Sequence, residues 1–296
     1  MTGTNSVPPA GPIAGVVILY NPEENVVENI RSYIGQVDRL FVIDNSDQPS
    51  SPISEEDNDV WQAAEYINNG ANFGVATALN RAAVLAVARG YRYLLTMDQD
   101  SVASPDMVHR FRMYLHDHAE DPIGILSPCH IYKNFDAPVD SANSKTVFTT
   151  ITSGSLLSLT AYARIGPFLD DLFIDYVDFE FCLRLHIHGF QIVQVAHTYL
   201  EHVLGDPVRR RILFRSVVIT NHPPIRVYYK FRNRLYVARR YFCRFPLWST
   251  ATALSVITEG MKIVCLERDR KEKVLMTLRG IRDCVIGRIG RYGVHA

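Results

Sequence analysis

The sequence predicts an α/β protein, with a mainly parallel central sheet covered by helices on both faces and a basic helical extension at its C-terminal end. Three observations predict it. Short β-branched apolar runs alternate with helical patterns through the first hundred residues, and strand–helix–strand order favours parallel pairing through crossover helices. Those runs are apolar throughout rather than alternating, as strands buried on both faces are. After residue 205 the pattern changes to Arg-laced amphipathic helices.

Each element can be read in order. IAGVVILY (13–20) is a buried strand. NPEENVVENIRSYIGQV follows as a helix, with Asn21 able to cap, Pro22 suited to the first helical position and acids in the first turn. DRLFVID (38–44) is a second strand running into the polar DNSDQPSSP, and AAEYINN (63–69) is a third. NFGVATALNRAAVLAVARG (72–90) is a loop feeding a helix, with Gly90 past its end. YRYLLTMD (91–98) is the fourth strand. GILSPCHIY (124–132) and VFTTITSGSLLSL (147–159) read as strands and TAYARIGPF (160–168) as a short helix. A helix from Val177 to His188 is closed by Gly189, and a strand follows. LWSTATALSVITEGMKIVCL (247–266) is interrupted by Glu259 and Lys262 and diluted by Ser and Thr. It is a buried or interfacial helix, not a membrane span. Residues 227–242 and 273–293 are basic helices; in the second, Val274, Leu278, Ile281, Val285 and Ile289 share one stripe. The expected organisation is a flexible start at 1–12, a catalytic domain at 13–205 and a helical region at 206–296.

Composition sets further bounds. The chain of 296 residues suits one large α/β domain with additions. Its formal net charge of zero hides an asymmetry. Residues 208–296 hold 20 Lys or Arg against 5 Asp or Glu, whereas the first 207 hold 11 against 26. A basic third beside an acidic body points to a polyanionic neighbour, either anionic membrane or nucleic acid. Cys129, Cys182, Cys243, Cys265 and Cys284 are odd in number, widely spaced and form no CxxC. They argue against a disulfide framework or zinc site and for a reducing compartment. Residues 1–12 lack the charged start and apolar core of a signal peptide.

The chemistry centres on LLTMDQDSVASP (94–105). Read alone, Asp98 and Asp100 allow three roles. They can clamp a metal beside a nucleotide, Asp98 can be a nucleophile that takes a phosphoryl group, or the pair can be an acidic turn. Ligands of doubly wound sheets sit at the carboxyl ends of the strands. Asp44 and Asp98 both fall at such ends and could face one crevice.

A series of segments in order, VIDNSD, NGANFGVATALNRA, MDQD, a helix opening DFE, and EH, resembles the inverting family 2 glycosyltransferases with the GT-A fold, over roughly residues 13–205. The later RVYYKFRNRLYVARRY and GIRDCVIGRIGR are similar to the rhamnosyltransferase branch, which builds bacterial surface polysaccharides from dTDP-L-rhamnose. The resemblance implies that Asp100 binds a divalent metal, Mn²⁺ or Mg²⁺, with Asp98 against the ribose or metal-bound water and His202 completing the metal site. It implies that Asp44 meets the nucleobase beside Asn45, and that Asn72, Gly74 and Asn80 belong to the loop under the nucleotide. Val75, Ala76 and Thr77 depart there from a more Gly-rich run. Ser153 and Gly154, in TSGSLLS, would lie close to the donor. YVDFEFCLRL resembles the family's EDVDLCLRL-type segment, which makes Asp178 the general base, with Asp175 its rival on the acceptor side and Glu180 either placing the acceptor or supporting the loop. Val177 stands where the first acid is usual. Arg232 and Asn233 would lie near the diphosphate or acceptor.

The chemistry fits those groups. A nucleotide-sugar releases a diphosphate whose growing charge a divalent ion can neutralise, and hard carboxylate oxygens suit Mg²⁺ or Mn²⁺. The implied partners are a dTDP-rhamnose donor, a lipid-linked saccharide acceptor, a membrane surface met by the basic helices and a possible homodimer, but no nucleic acid. The implied location is cytoplasmic, at the inner face of the bacterial membrane. DQDSV also satisfies the D-x-D-x-[TV] pattern of haloacid-dehalogenase-like phosphatases, but three strands precede it and no later GDGxxD-type cluster follows. Tyr228, Tyr229 and Tyr236 could stack bases, though their helical spacing favours a packed stripe.

Overall fold

The computed structural model describes residues 11–23, 25–48, 58–132, 143–202, 208–212, 215–219 and 221–293. The chain forms two compact units, one of Met1–Phe168 and Phe181–Val203, the other of Leu169–Glu180 and Leu204–Ala296. The short segment 169–180 thus groups with the C-terminal helices rather than with the sheet that precedes it in sequence.

In the first unit the chain runs β1 (Ile13–Leu19), α1 (Val26–Ile34), β2 (Arg39–Asp44), α2 (Asn58–Ala63), β3 (Ala64–Asn68), α3 (Val75–Ala88), β4 (Tyr93–Asp98), β5 (Val102–Ala103), α4 (Met107–Asp117), β6 (Ile123–Tyr132), β7 (Lys145–Thr146), β8 (Ser155–Ser158) and α5 (Leu159–Ile165). A 3-10 turn at Asp170–Leu172 and the opening of α6 (Val177–Ile187) belong to the second unit, and β9 (Gln191–His202) returns to the first. The sheet order is β3-β2-β1-β4-β8-β6-β9-β5, with β7 on β9. β3, β2, β1 and β4 are parallel. β8 then enters antiparallel to both β4 and β6, so the predicted parallel sheet holds for one half and turns mixed in the other. β1 sits between β2 and β4, and Ile13, Val16, Val17 and Leu19 are fully buried. That is why its sequence shows no polar alternation.

Two predicted boundaries move. The first helix starts at Val26, not at Asn21–Pro22. Asn21 has a left-handed φ of 44°, and its N–H goes to Ser46 Oγ at 2.8 Å instead of opening a helix. Of the strand expected over 147–159, only Ser155–Ser158 pairs at its end.

The second unit holds a hairpin of β10 (Val208–Ile212) and β11 (Arg215–Ile219), then α7 (Pro224–Tyr241), α8 (Pro246–Leu266) and α9 (Arg270–Val285). α7 is its core. Val227 and Phe231 pack with Ile263 of α8, while Tyr228 and Tyr229 pack with Met276 of α9. α9 uses the apolar stripe read from the sequence only in part, through Val274 against the α7–α8 cluster. Leu278 and Val285 are 60% and 70% exposed, and Lys273, Met276, Gly280, Asp283 and Cys284 are buried instead. The polar members have partners: Tyr228 Oη donates to Asp283 at 2.9 Å and Lys273 Nζ to Glu267 at 2.8 Å. Gly280 permits the close approach, since a Cβ there would meet the Tyr228 carbonyl at 2.6 Å.

α8 holds Glu259 against Lys230 of α7 at 2.9 Å and Lys262 at 3.1 Å. Burial alone would raise this carboxyl, but Lys230 and then Lys262 overcome it and hold it at about 2. A carboxylate whose pKa is lowered on folding stabilises the fold above its unfolded value and loses that contribution as pH falls toward the folded one. Lys230→Met is therefore expected to cost about 1–3 kcal/mol at neutral pH, a difference that disappears in urea unfolding as pH falls from 4.5 toward 2. Gly280→Leu is expected to lower stability by about 1–3 kcal/mol through overpacking on Tyr228, read as a lower thermal midpoint.

Candidate active site

Strand register gathers the first group of predicted residues. Asp44 pairs with Leu19 and Asp98 with Ile18, on opposite sides of β1. Their Cα atoms therefore lie about 10 Å apart at the carboxyl end of the sheet. Asp44 is fully buried. One oxygen accepts the Ser46 N–H at 2.8 Å, the other the Tyr66 hydroxyl at 2.6 Å, and the Asp44 carbonyl accepts the Asn69 N–H at 2.9 Å. Burial first, then Asp44, pushes the Tyr66 phenol well above its ordinary range. Asn45 donates to the Gly74 carbonyl at 3.0 Å and accepts from Asn69 Nδ2 at 2.6 Å. Both residues are expected at the nucleotide, and their side chains tie the loops after β2 and β3 to each other and to the start of α3.

Asn72 accepts the Gly74 N–H at 3.0 Å, closing a tight turn ahead of α3. Gly74 has φ 87° and ψ 165°, a conformation open essentially to glycine alone. Asn80 departs from expectation. Its Oδ1 accepts the Tyr162 hydroxyl at 3.0 Å and the Phe168 N–H at 2.8 Å, and its Nδ2 donates to the Phe168 carbonyl at 2.9 Å. It pins the loop after α5 to α3.

Asp98 and Asp100 are half-buried at the end of β4. Gln99 between them fixes their setting. Its side chain exchanges hydrogen bonds with the Tyr20 backbone at 2.8 and 3.2 Å, and its carbonyl accepts Asn29 Nδ2 at 2.9 Å. Ser153 is fully buried; its Oγ accepts the Asp98 N–H at 3.2 Å and lies 2.8 Å from Ser101 Oγ. Gly154, at φ +75°, donates its N–H to the Thr96 carbonyl at 2.7 Å. Ser153 and Gly154 thus support the carboxylate pair from beneath. Burial and then the Asp98 charge raise the enclosed Tyr33 phenol. His202 ends β9 opposite Tyr132, and its side chain lies outside the described residues. Among the described residues no group of three or more His, Cys, Asp or Glu is assembled for a metal. The two carboxylates are nonetheless the hard donors that Mg²⁺ or Mn²⁺ takes.

The second unit carries the remaining residues. Phe173, Asp175 and Tyr176 all have left-handed φ, at 64°, 62° and 66°, each a strained choice for a side-chain-bearing residue. Asn233 Nδ2 holds the loop, reaching the carbonyls of Leu172, Ile174 and Asp175 at 2.7, 2.8 and 3.0 Å. Arg232 donates to Asn233 Oδ1 at 2.8 Å, to the Gly290 carbonyl at 2.5 Å and to the Asp171 carbonyl at 3.1 Å. Its guanidinium lies over the Tyr228 and Tyr229 rings. Arg232 and Asn233 are 1% and 0% exposed. Both side chains are committed to the loop that leads to Asp178, which they clamp.

Asp178 opens α6, half-buried, with one oxygen on the Phe179 N–H at 2.8 Å. Asp175 pairs with Arg226 at 3.4 Å. Glu180 is fully buried and accepts the Tyr241 hydroxyl at 2.5 Å, so of its two expected roles the geometry fits the supporting one, anchoring α6. Burial, then Glu180, raises the Tyr241 phenol. Sequence reasoning missed Arg226, Tyr241 and Arg234. Arg234 is 7% exposed, donates from Nε to Tyr176 Oη at 2.7 Å, and has a buried Nη1 without a hydrogen-bond partner among the described residues. Nothing in the run FRNR separates the roles of its two arginines. Tyr228 and Tyr229 are buried and cannot stack bases.

Residues 16–155 match the family described as glycosyl transferase family 2. The chain is 26% identical to the dTDP-rhamnosyl transferase RfbF of Shigella flexneri, over 95% of this chain and 98% of that one. It is 23% identical to the low-salt glycan biosynthesis hexosyltransferase Agl10 of Haloferax volcanii, over 93% and 92%. In fold it is similar to TarS 1-349 of S. aureus, with TM-score 0.60 and 12% identity over 94% of this chain and 82% of that one. The UDP complex of the same fragment gives TM-score 0.54 and 11% identity over 92% and 71%.

Asn233→Leu would remove the amide that three loop carbonyls share, though the Leu172 carbonyl keeps the Ile174 N–H at 2.7 Å. It is expected to destabilise the protein by roughly 2–4 kcal/mol in chemical unfolding and to raise amide exchange at residues 173–176.

Proposed function

We propose that this family 2 glycosyltransferase transfers L-rhamnose from dTDP-L-rhamnose to a hydroxyl of a lipid-linked saccharide, with inversion at the anomeric carbon. The observation that carries the reading is the Asp98–Asp100 pair at the carboxyl end of β4, one register step from Asp44, in a chain similar from end to end to a dTDP-rhamnosyl transferase.

The acceptor oxygen forms a bond to the anomeric carbon as the bond to the diphosphate oxygen breaks, and that electron pair leaves with dTDP. The acceptor proton passes to Asp178, which opens α6 half-buried. Asp175, engaged by Arg226, is the weaker candidate for that proton. Asp100 with Asp98 would hold Mn²⁺ or Mg²⁺, which supplies Lewis-acid stabilisation of the leaving diphosphate. The chain's own contribution to the donor is a shaped crevice: Asp44 and Asn45 hold its loops, and Gly74 lets the backbone approach the nucleotide. The lipid-linked acceptor places the enzyme at the inner face of a bacterial membrane as a peripheral protein. No helix of the described residues is long and apolar enough to cross one.

Three assays test the reading. The purified enzyme is expected to transfer sugar from dTDP-rhamnose with a divalent ion present, and to stop when EDTA removes it. Asp178→Asn is expected to bind dTDP normally by calorimetry while losing about 10³-fold or more in transfer. Asp100→Asn is expected to lose both turnover and metal-dependent donor binding. Transfer from UDP- or GDP-sugars but not from dTDP-rhamnose would overturn the donor assignment; near-normal turnover in Asp178→Asn would move the base elsewhere.

A further inference from the structure

The face of α8 toward α7 combines Ile263, packed with Val227 and Phe231, with Glu259 gripped by Lys230 and Lys262 and a buried Ser249. Its outer face is apolar. Leu247, Leu254, Ile257, Met261 and Val264 are 87, 57, 59, 56 and 52% exposed. Their spacing places them on one stripe about 25 Å long. The other exposed residues on that helix, Pro246, Thr250, Ala251, Thr258 and Cys265, are uncharged. A contiguous apolar surface of this length marks an interaction site.

The charge around the stripe selects its partner. Between residues 224 and 293, nine Lys or Arg are exposed against two Asp or Glu. Arg240 and Arg244 lie just before α8, and Arg268, Arg270 and Lys271 just after it. We infer that α8 lies in the plane of an anionic bilayer, its outer face in the headgroup–acyl boundary and the flanking cations among the lipid phosphates. An apolar face rimmed by cations is what such a surface binds. A second copy of the chain would bring the same arginines against one another, which the like charges oppose. The inference rests on the proposed membrane location and deepens it by naming the surface that meets the lipid, whichever sugar is moved.

The test uses the full chain without substrate. It is expected to float with vesicles of phosphatidylglycerol and phosphatidylcholine, and far less with phosphatidylcholine alone. Ile257→Gln with Met261→Gln is expected to lower the partition at least about ten-fold without changing the melting temperature. In a Trp61→Phe background, Trp248 of α8 is expected to shift its emission to the blue on binding and to be quenched by brominated acyl chains. Equal flotation of the variant, or an unquenched Trp248 on bound vesicles, would overturn the inference. So would a dimer in sedimentation that the same substitutions dissociate.

Discussion

The described part of the crevice rests on one buried carboxylate. Asp44 has no exposure, yet one oxygen accepts from Ser46 in the loop after its own strand, the other from Tyr66 on β3, and its carbonyl from Asn69 just past β3. A buried carboxylate is costly unless each oxygen is satisfied, so the loops are held wherever they satisfy it. Asn45 extends the constraint to the start of α3 and to Asn69, and Ser46 extends it to Asn21 after β1. Loops at the carboxyl end of a parallel sheet are free by connectivity alone. Here their positions relative to one another are set by polar groups that never reach solvent.

The second unit repeats the device with cationic and amide groups. Arg232 and Asn233 are buried, stacked and bonded almost wholly to backbone carbonyls. Three left-handed residues in one short loop would relax without such a hold. Lys273 with Glu267, and Tyr228 with Asp283, place further polar pairs inside the same helical layer. This explains why a chain so rich in arginine packs helices at all: part of its charge is interior and partnered, and only the rest is a surface.

Much of the fold was legible because apolar runs of strand length and helix-length periods leave little choice. β1, β2 and β4 end within a residue of where their apolar runs end. What misled were positions where a polar partner overrides periodicity. Asn21 reads as a cap but serves Ser46. The stripe through Leu278 and Val285 reads as a core face, but Lys273 and Asp283 have partners and take it. The site follows the same division. The acids at strand ends were findable from position, since β strands place their last residues at the crevice. The fate of Asn80, Arg232, Asn233 and Glu180 was not, because a side chain that holds a loop and one that holds a ligand are the same residue in a sequence. Their partners, such as Phe168, Leu172 and Tyr241, lie tens of residues away and carry no motif.

The clamp formed by Asn233 has a consequence for how this loop can change over time. It grips main-chain oxygens at Leu172, Ile174 and Asp175 and no side chain among them. The path of the loop is thereby held apart from the side chains that travel along it. Those side chains have ties of their own: Phe173 and Ile174 pack with Tyr228, Tyr229 and Met276, Asp175 pairs with Arg226, and Tyr176 accepts from Arg234. A substitution at 173–176 therefore loses a side-chain contact while the main-chain grip of Asn233 stays in place.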